Sequence, residues 1–287
     1  KSTDREKFLE LKPKKIISGD FLNKDLVGKI LKKFKINVIF HLGAVTQVLE
    51  SLRDPYTTHN VNVMGTINFL ENIRKINPNI VFIYSSSDKA YGELNKRNFY
   101  KETDCLKSDY PYDVSKSASD LICQSFSKTY SLRIGIIRCG NIYGGGDFNW
   151  DRLIPGLCKW FIGNEQPILR TDGSFKRDWV YVEDVAKAYL GVADKLFSDS
   201  DKVSMFYNFA AEDYKSVIEV YETVSKLIKG EVIEPIYNID SSKEIPDQYL
   251  DSTKIKKELN ISSSIDLISG LSKTVDWYKD YFLNFER

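Results

Sequence analysis

Apolar runs of strand length alternate with helix-period segments through the first 140 residues, and this alternation limits the fold more than any other feature. Lys14 to Ser18 reads as a strand and Asp25 to Phe34 as a helix. Asn37 to Leu42 is again strand-like, ending in His41-Leu42-Gly43-Ala44. Asp54 to Ile76 follows as a long helix, with Val61, Met64, Ile67, Phe69, Leu70 and Ile73 as its apolar positions. Ile80 to Ser85 is the next strand. A helix entered through Asp109 and Pro111 then shows Val114, Ala118, Leu121, Ile122 and Phe126 at helical spacing. Leu132 to Arg138 closes the series as a further strand. Strands separated by helices pair in parallel, and a parallel sheet is covered on both faces. The expectation is a doubly wound α/β fold with its ligand site at the carboxyl ends of the strands.

After Cys139 the pattern loosens into loops, the amphipathic segment Asp151 to Ile162 and short strand-like runs. Val180 to Phe197 reads as another strand–helix return to the sheet. Tyr207 to Tyr281 shows two helical stretches separated by Ile233 to Gln248, read as a smaller substrate domain. The division expected is 1–140 with about 176–205 for the sheet domain, and 141–175 with 206–287 for the second.

The chain has 287 residues, 28% of them charged, and a formal net charge of +1, which gives no reason to expect nucleic acid or an acidic membrane surface. The Lys-rich patches Lys12 to Lys15 and Lys254 to Lys257 read as solvated surface. Cys105, Cys123, Cys139 and Cys158 follow no metal or disulfide spacing, and His41 and His59 are too few for a zinc site, so no metal is expected. No signal peptide is visible and no apolar run approaches the ~18 residues of a membrane helix. A soluble, cytoplasmic chain is the reading.

The chemistry concentrates between Ile80 and Lys116. Ser85-Ser86-Ser87-Asp88-Lys89-Ala90-Tyr91-Gly92 ends one strand, and Pro111-Tyr112-Asp113-Val114-Ser115-Lys116 opens the following helix. Tyr112 and Lys116 lie four residues apart and share a helix face. An ammonium there can lower the phenol from its usual pKa near ~10 and make it a base. The pair alone says little, because about two such spacings arise by chance in a chain this rich in Tyr and Lys. Its position, one helix after a strand ending in Ser87, carries the weight. Ser85 and Ser86 read as strand-end packing.

Several ordered segments together resemble the extended short-chain dehydrogenase/reductase family, the nucleotide-sugar epimerases and dehydratases. They are His41-Leu-Gly-Ala44, Asn62-Val-Met-Gly65-Thr66, Ser86-Ser-Asp-Lys-Ala-Tyr91-Gly92, Tyr112-Asp-Val-Ser-Lys116, Arg138 to Asp147, Asp151-Arg-Leu-Ile-Pro155 and Lys176 to Asp184. Within that family the chain looks most like the CDP-glucose 4,6-dehydratases. The resemblance implies a Rossmann-type fold and an NAD-dependent 4,6-dehydratase acting on CDP-glucose or a related nucleotide hexose, with NADP not excluded as cofactor. A 4-epimerase and a non-catalytic nucleotide-sugar-binding protein of the same fold are the alternatives. Ser87 would hold the sugar's 4-hydroxyl, Tyr112 would take its proton, and Lys116 would hold the nicotinamide ribose. Asp88 would protonate the departing 6-hydroxyl. Epimerases of the family carry small or hydroxyl residues at the positions of Asp88 and Lys89, and dTDP-sugar dehydratases carry Asp-Glu. Lys89 is open between a catalytic role, an ion pair with Asp88 and a phosphate contact.

By the same resemblance Asp20, Phe21, Leu42, Gly43, Ala44 and Asn62 line the dinucleotide, Asp20 being alternatively a turn residue. Asn141, Arg152 and Arg177 grip the sugar nucleotide. Gly144 to Gly146 could pass for a phosphate cradle but lack the GxGxxG spacing, and read as a loop shaping the sugar pocket. A homodimer is implied, joined through Asp54 to Ile76 and Pro111 to Tyr130. The family's opening strand, Gly-rich turn, helix and second strand have no counterpart here, since the first 40 residues hold only Gly19 and Gly28. The expectation is a sheet lacking its first two strands, with Lys14 to Ser18 unladdered, the edge of Asn37 to Leu42 open, and roughly 40 upstream residues in the native gene. Near Glu244 to Gln248 relatives often carry an Arg, for which Lys243 is a candidate substitute.

Overall fold

Helix α1 (Lys24–Lys33) begins where Asn23 caps it, its side-chain oxygen accepting from the Leu26 amide at 3.0 Å. Asp25 in the first turn and Lys32 and Lys33 in the last complement the helix dipole. The computed structural model describes residues 13–93, 99–199, 201–238 and 247–285. Next come β1 (Val38–His41), α2 (Val48–Arg53) and α3 (Pro55–His59). A single π turn (Asn60–Met64) joins α3 to α4 (Gly65–Ile76). The expected long helix Asp54 to Ile76 is therefore one helical segment with a local over-wide turn, and π turns often sit at functional sites. Asp54 caps it by accepting from the Thr57 amide at 2.9 Å.

β2 (Val81–Ser87) runs into a short 3-10 turn (Asp88–Tyr91), then α5 (Pro111–Tyr130) and β3 (Ile134–Cys139). Pro111 fits α5's first turn, where a missing N–H costs nothing, and Ser131 at φ +55° ends the helix. The remaining elements are β4 (Asn141–Tyr143), α6 (Leu153–Ile162), β5 (Ile168–Leu169), β6 (Lys176–Tyr181), α7 (Val182–Ser198), β7 (Ser204–Phe209), β8 (Tyr214–Ser216), α8 (Val217–Lys229), β9 (Ile236–Tyr237), α9 (Thr253–Leu259) and α10 (Leu267–Phe285).

The main sheet has four parallel strands in the order β1-β2-β3-β7, with Val38 opposite Val81, Phe82 opposite Ile134 and Ile134 opposite Ser204. Alternate residues feed opposite faces. Val81, Ile83 and Ile137 pack with Val185, Ala188 and Val192 of α7, while Phe82, Tyr84, Ile134 and Ile136 pack with Leu31, Leu70, Ile73 and Cys123 from α1, α4 and α5. Gly135 lets α7 come close: a Cβ there would lie 2.7 Å from Ile83 and Val192 carbons.

Three expectations are corrected. Residues 14–18 form no strand, against the strand reading, whereas their lack of a ladder partner and the open edge of β1 among the described residues, with Leu42 59% exposed just beyond it, are as expected. The strand of the Val180 to Phe197 unit does not return to the main sheet. β6 pairs instead with β4 in parallel and β8 antiparallel, and the strand that completes the main sheet is β7. A boundary at 206 thus falls inside β7. Third, the C-terminal third holds α8, α9 and α10 rather than two helical stretches. α8 opens with a reciprocal cap, Ser216 and Glu219 each accepting from the other's backbone amide. Around Trp179 and Tyr181 the second core gathers Phe161 of α6, Val220 and Tyr221 of α8, and Leu271 and Tyr278 of α10.

His41 ends β1 inside an aromatic cluster of Phe21, Phe69, Phe82 and Tyr84. The Thr66 hydroxyl spends its proton on the Asn62 carbonyl at 2.7 Å, so His41 Nε2, 3.2 Å from Thr66 Oγ1, is the donor of a neutral ring. Burial, helped by the nearby Lys116 charge, lowers its pKa to about 4. The unfolded chain protonates this ring near ~6.5, so between those values unfolding takes up a proton and stability falls as pH falls. Relative to His41→Gln, the wild type is expected to lose roughly 3 kcal/mol between pH 6.5 and 4. Parallel urea-stability curves for the two proteins across that window would show His41 to be uninvolved.

Candidate active site

The carboxyl ends of the parallel strands open on one cleft of about 360 Å³. Leu42, Ala44, Thr46 and Gln47 after β1, Ser85 to Lys89 at the end of β2 and just past it, Tyr112, Asp113 and Lys116 of α5, and Cys139 to Asn141 from the end of β3 into β4 form one wall. Asp147, Asn149, Arg152, Arg170, Arg177 and Trp179 form the other. This is the place a parallel sheet offers a ligand, because helix N-termini and strand ends converge there. The chain crosses from the main sheet to the second at Gly140, where a Cβ would lie 2.9 Å from the Asp178 carbonyl oxygen.

Ser87 begins the 3-10 turn. Its hydroxyl donates to Asp88 Oδ1 at 2.9 Å and accepts from the Lys89 amide at 3.3 Å. The Tyr112 phenol lines the same cleft, and Ser87 and the Asp88 charge both act on it. The adjacent Ser87 and Asp88 and the more distant Tyr112 thus meet at one cleft. Burial raises the Asp88 pKa, with Lys89, Ser87 and Arg177 opposing, which suits a carboxyl that must hold a proton to give away.

Tyr112 departs from expectation. Burial first, then the Asp88 charge, pushes its phenol well above the usual value, with Arg152 pulling the other way. The Lys116 ammonium, expected to lower it, donates to the Ser85 carbonyl at 2.8 Å and sits 5.3 Å from the Tyr84 ring centre. Burial lowers the Lys116 pKa to about 8, against the pull of Asp120. Tyr189 donates to Ser85 Oγ at 2.8 Å and Ser86 donates to Asp120 Oδ2 at 2.7 Å, so these two serines do the strand-end packing expected of them.

Lys89 Nζ donates to Gln248 Oε1 at 3.3 Å, rather than forming a close ion pair with Asp88, although its charge acts on Asp88 and Asp113. Gln248 is buried, and Lys243 lies outside the described residues. Arg177 is buried, donates to the Lys176 carbonyl at 3.0 Å, and its charge bears on Asp88. Arg152 pairs with Asp147 at 3.0 Å and Arg170 with Asp151 at 3.1 Å, both half-exposed at the cleft rim. Asn141 faces the cleft from β4.

The expected cofactor residues divide. Leu42 and Ala44 line the cleft. Asn62, in the π turn, is buried away from it: its Oδ1 accepts from the Val45 amide at 2.8 Å, and its Nδ2 donates to the Val45 carbonyl and to Ser115 Oγ. It holds the loop after β1 in place. Asp20 turns its own loop, accepting from the Leu22 amide at 2.9 Å. Phe21 packs on His41 and closes against Gly43 and Gly65, where any Cβ would collide with its ring.

Sequence reasoning missed Asp113, Gln248 and the bridge from Gln47 Nε2 to Asn149 Oδ1 at 3.0 Å. Asp113 was visible inside a quoted motif. The other two join residues more than a hundred positions apart, for which no local signal exists.

Among the described residues no helix is long and apolar enough to cross a membrane. The CDP-glucose 4,6-dehydratase of Salmonella typhimurium is 27% identical to this chain over 272 residues, covering 91% of this chain and 76% of that protein. The dTDP-glucose 4,6-dehydratase of Bacillus anthracis, solved in complex with NAD, matches with a TM-score of 0.82 at 27% identity, covering 94% of this chain and 81% of that one. The UDP-glucose 4-epimerase of Thermotoga maritima, solved with UDP-glucose, shares the fold with a TM-score of 0.84 at 24% identity, covering 93% and 84%. The profile of one family matches residues 1–206, well over half of the 287 present, and this chain belongs to it: the NAD dependent epimerase/dehydratase family.

Proposed function

We propose that this chain is a nucleotide-sugar 4,6-dehydratase working with NAD on CDP-glucose or a related nucleoside-diphosphate hexose. The observation that carries the reading is Asp88, a buried carboxyl with raised pKa, bonded to Ser87 beside Tyr112. Inverting C4 involves no leaving group, whereas expelling the 6-hydroxyl as water calls for an acid at this point.

Lys116 supports the nicotinamide end of the cofactor. It lines the cleft and gives one of its three N–H donors to Ser85, leaving two for ribose hydroxyls. When bound, NAD supplies a hydride acceptor for C4 and a donor for C6. Ser87 holds the 4-hydroxyl and Tyr112 takes its proton. For that, the phenol must shed the proton that burial and Asp88 keep on it, and turning Lys116 from Ser85 toward Tyr112 is the change this role requires. Asp88 then protonates the leaving 6-hydroxyl. Arg177 and Asn141 from the second sheet, with Arg152 at the rim, hold the diphosphate, for which guanidinium groups are well shaped. In this reading the sheet part, now including β7, carries the cofactor, and the β4-β6-β8 part carries the sugar nucleotide.

Given NAD and CDP-glucose, UDP-glucose, dTDP-glucose or GDP-mannose, the protein is expected to form a 4-keto-6-deoxy sugar from at least one. A C4 epimer as sole product would establish the epimerase reading instead, and calorimetric binding without turnover the non-catalytic one. Asp88→Asn is expected to cut product formation by about 10²-fold or more while C4 oxidation continues. Equal loss of both steps would make Asp88 structural. We propose in addition a cytoplasmic homodimer joined through the helical segments 54–76 and 111–130, whose exposed Tyr56, Met64, Leu121 and Tyr130 support it. A single-chain mass in light scattering would exclude the dimer.

A further inference from the structure

Water loss across C5 and C6 needs a group to take the C5 proton as well as an acid for the hydroxyl. Lys89 lines the cleft directly after the acid, and a lysine amine can serve as a general base. Its flexible stem gives the nitrogen many places to go, of which the Asp88 carboxyl next door is the obvious one. The nitrogen goes elsewhere: Lys89 Nζ donates to Gln248 Oε1 at 3.3 Å, from a residue 159 positions away in sequence. Gln248 is 1% exposed and is not among the residues that line the cleft. The backbone around it is pinned on both sides. Asp247 Oδ1 accepts from the Lys176 amide at 3.2 Å, and the Tyr249 carbonyl accepts from the Tyr100 amide at 2.8 Å. The Leu250 carbonyl accepts from the Tyr214 hydroxyl at 2.9 Å. Gln248 Nε2, meanwhile, is buried without a hydrogen-bond partner among the described residues. An apolar side chain would fill the same space without that cost, so packing does not account for an amide here, whereas the bond to Lys89 does.

We propose that Gln248 is a positioning residue for the elimination: its carbonyl oxygen holds the Lys89 nitrogen away from a close pair with Asp88, where it can take the C5 proton. The inference rests on the dehydratase reading and on Lys89 acting at C5. Lys89 enters that step as the neutral amine, one proton having gone to solvent. The 4-keto group makes the C5–H bond acidic. The amine lone pair takes the proton, the C–H electron pair becomes the C5–C6 double bond, and the C6–O bond breaks. The hydroxyl leaves as water with the proton from Asp88. A close Asp88–Lys89 ion pair would undo both roles, leaving the acid without its proton and the amine without its lone pair. Burial favours the protonated Asp88, and the Lys89 charge is the largest influence against it, so separation of the two matters. The amide suits this task because it accepts a hydrogen bond without adding charge. A carboxylate in its place would favour the ammonium.

The test runs wild type, Gln248→Leu, Gln248→Glu and Lys89→Met with NAD and CDP-glucose in deuterated water. C4 oxidation is read by absorbance of the reduced cofactor in a single turnover, and deuterium at C5 by NMR. Gln248→Leu is expected to lower C5 exchange and kcat about 10- to 100-fold, with C4 oxidation and KM near wild type. Gln248→Glu keeps an acceptor but charges it, and is expected to move the acid limb of the kcat profile up by about one pH unit and to recover activity at high pH. Wild-type exchange in Gln248→Leu would overturn the proposal. So would equal loss of C4 oxidation and C5 exchange, which would make Gln248 a packing residue. If Gln248→Leu does not fold, the Gln248→Glu profile decides, and an acid limb that stays in place sinks the idea. Lys89→Met is expected to lose C5 exchange by about 10²-fold or more. Wild-type exchange there would overturn the proposal at Lys89 while the dehydratase reading stands. Failure of that reading shows elsewhere, in a wild type that makes no 4-keto-6-deoxy product from any of the four nucleotide sugars.

Discussion

Tyr112→Phe is expected to lower turnover by roughly 10² to 10⁴-fold, the range of a positioned acid–base group, with the fold intact. The ring is buried in the wall of the cleft and stays, so packing is preserved. What goes is the phenol hydroxyl, on which Ser87 and the Asp88 charge act. The loss should fall on kcat and on C4 oxidation, because the first proton transfer precedes every later step, while binding of the nucleotide sugar changes little. A single-turnover experiment reading C4 oxidation directly would separate this from damage to the elimination. Wild-type oxidation in the variant would remove Tyr112 from the chemistry and leave its buried hydroxyl as part of the Ser87–Asp88 cluster.

The largest effect on stability is expected from Asp120→Asn. Asp120 and Arg138 form a buried two-bonded ion pair between α5 and β3, with Arg138 Nε and Nη2 each 2.9 Å from a carboxylate oxygen. Burial works against the Arg138 charge, but Asp120 and Tyr91 more than offset it and its pKa stands above the usual value. The network continues, Arg138 Nη1 donating to the Tyr91 hydroxyl at 2.7 Å, Tyr91 to Asn208 Oδ1 at 2.7 Å, and Asn208 Nδ2 to the Tyr100 carbonyl at 2.8 Å. It therefore ties α5 to β3, the loop after β2 and β7. Removing one charge leaves the other buried and unpaired, at a cost of about 3–5 kcal/mol, a large part of the ~5–15 kcal/mol that holds a typical domain. Urea unfolding should show a lower midpoint with an unchanged slope. The double change Asp120→Leu with Arg138→Met should recover much of the loss, since the penalty comes from the orphaned charge. A loss below ~1 kcal/mol in the single variant would mean that water reaches the guanidinium.

The two networks differ in how far they could be read in advance. Ser87, Tyr112 and Lys116 were legible because each sits at a defined place in a local pattern: the end of an apolar strand, and two helix positions four apart. Arg138 was quoted for a motif and Asp120 passed as an ordinary polar helix residue, because no periodicity announces a buried pair between a helix and the next strand. Lys116 shows the limit from the other side. The i,i+4 spacing put it on the right face, yet its ammonium turned to the Ser85 carbonyl, since a buried cation takes the nearest acceptor.

Hydrophobic period is a property of consecutive positions, so the kinds of element and their order, helices α1, α4 and α5 and strands β1 to β3 within a few residues, could be read from the chain. So could the side chains that stand at strand ends and helix starts, where chemistry was sought. Strand pairing was settled by the folded packing. β7 enters the main sheet and β6 leaves it for β4 and β8, since an apolar strand matches many edges and the choice depends on how α7 and α8 pack. The same packing lifted the Asp88 and Tyr112 pKa values and engaged Lys89 with Gln248. Burial and the distances between side chains far apart in sequence set those properties, and neither exists until the chain has folded.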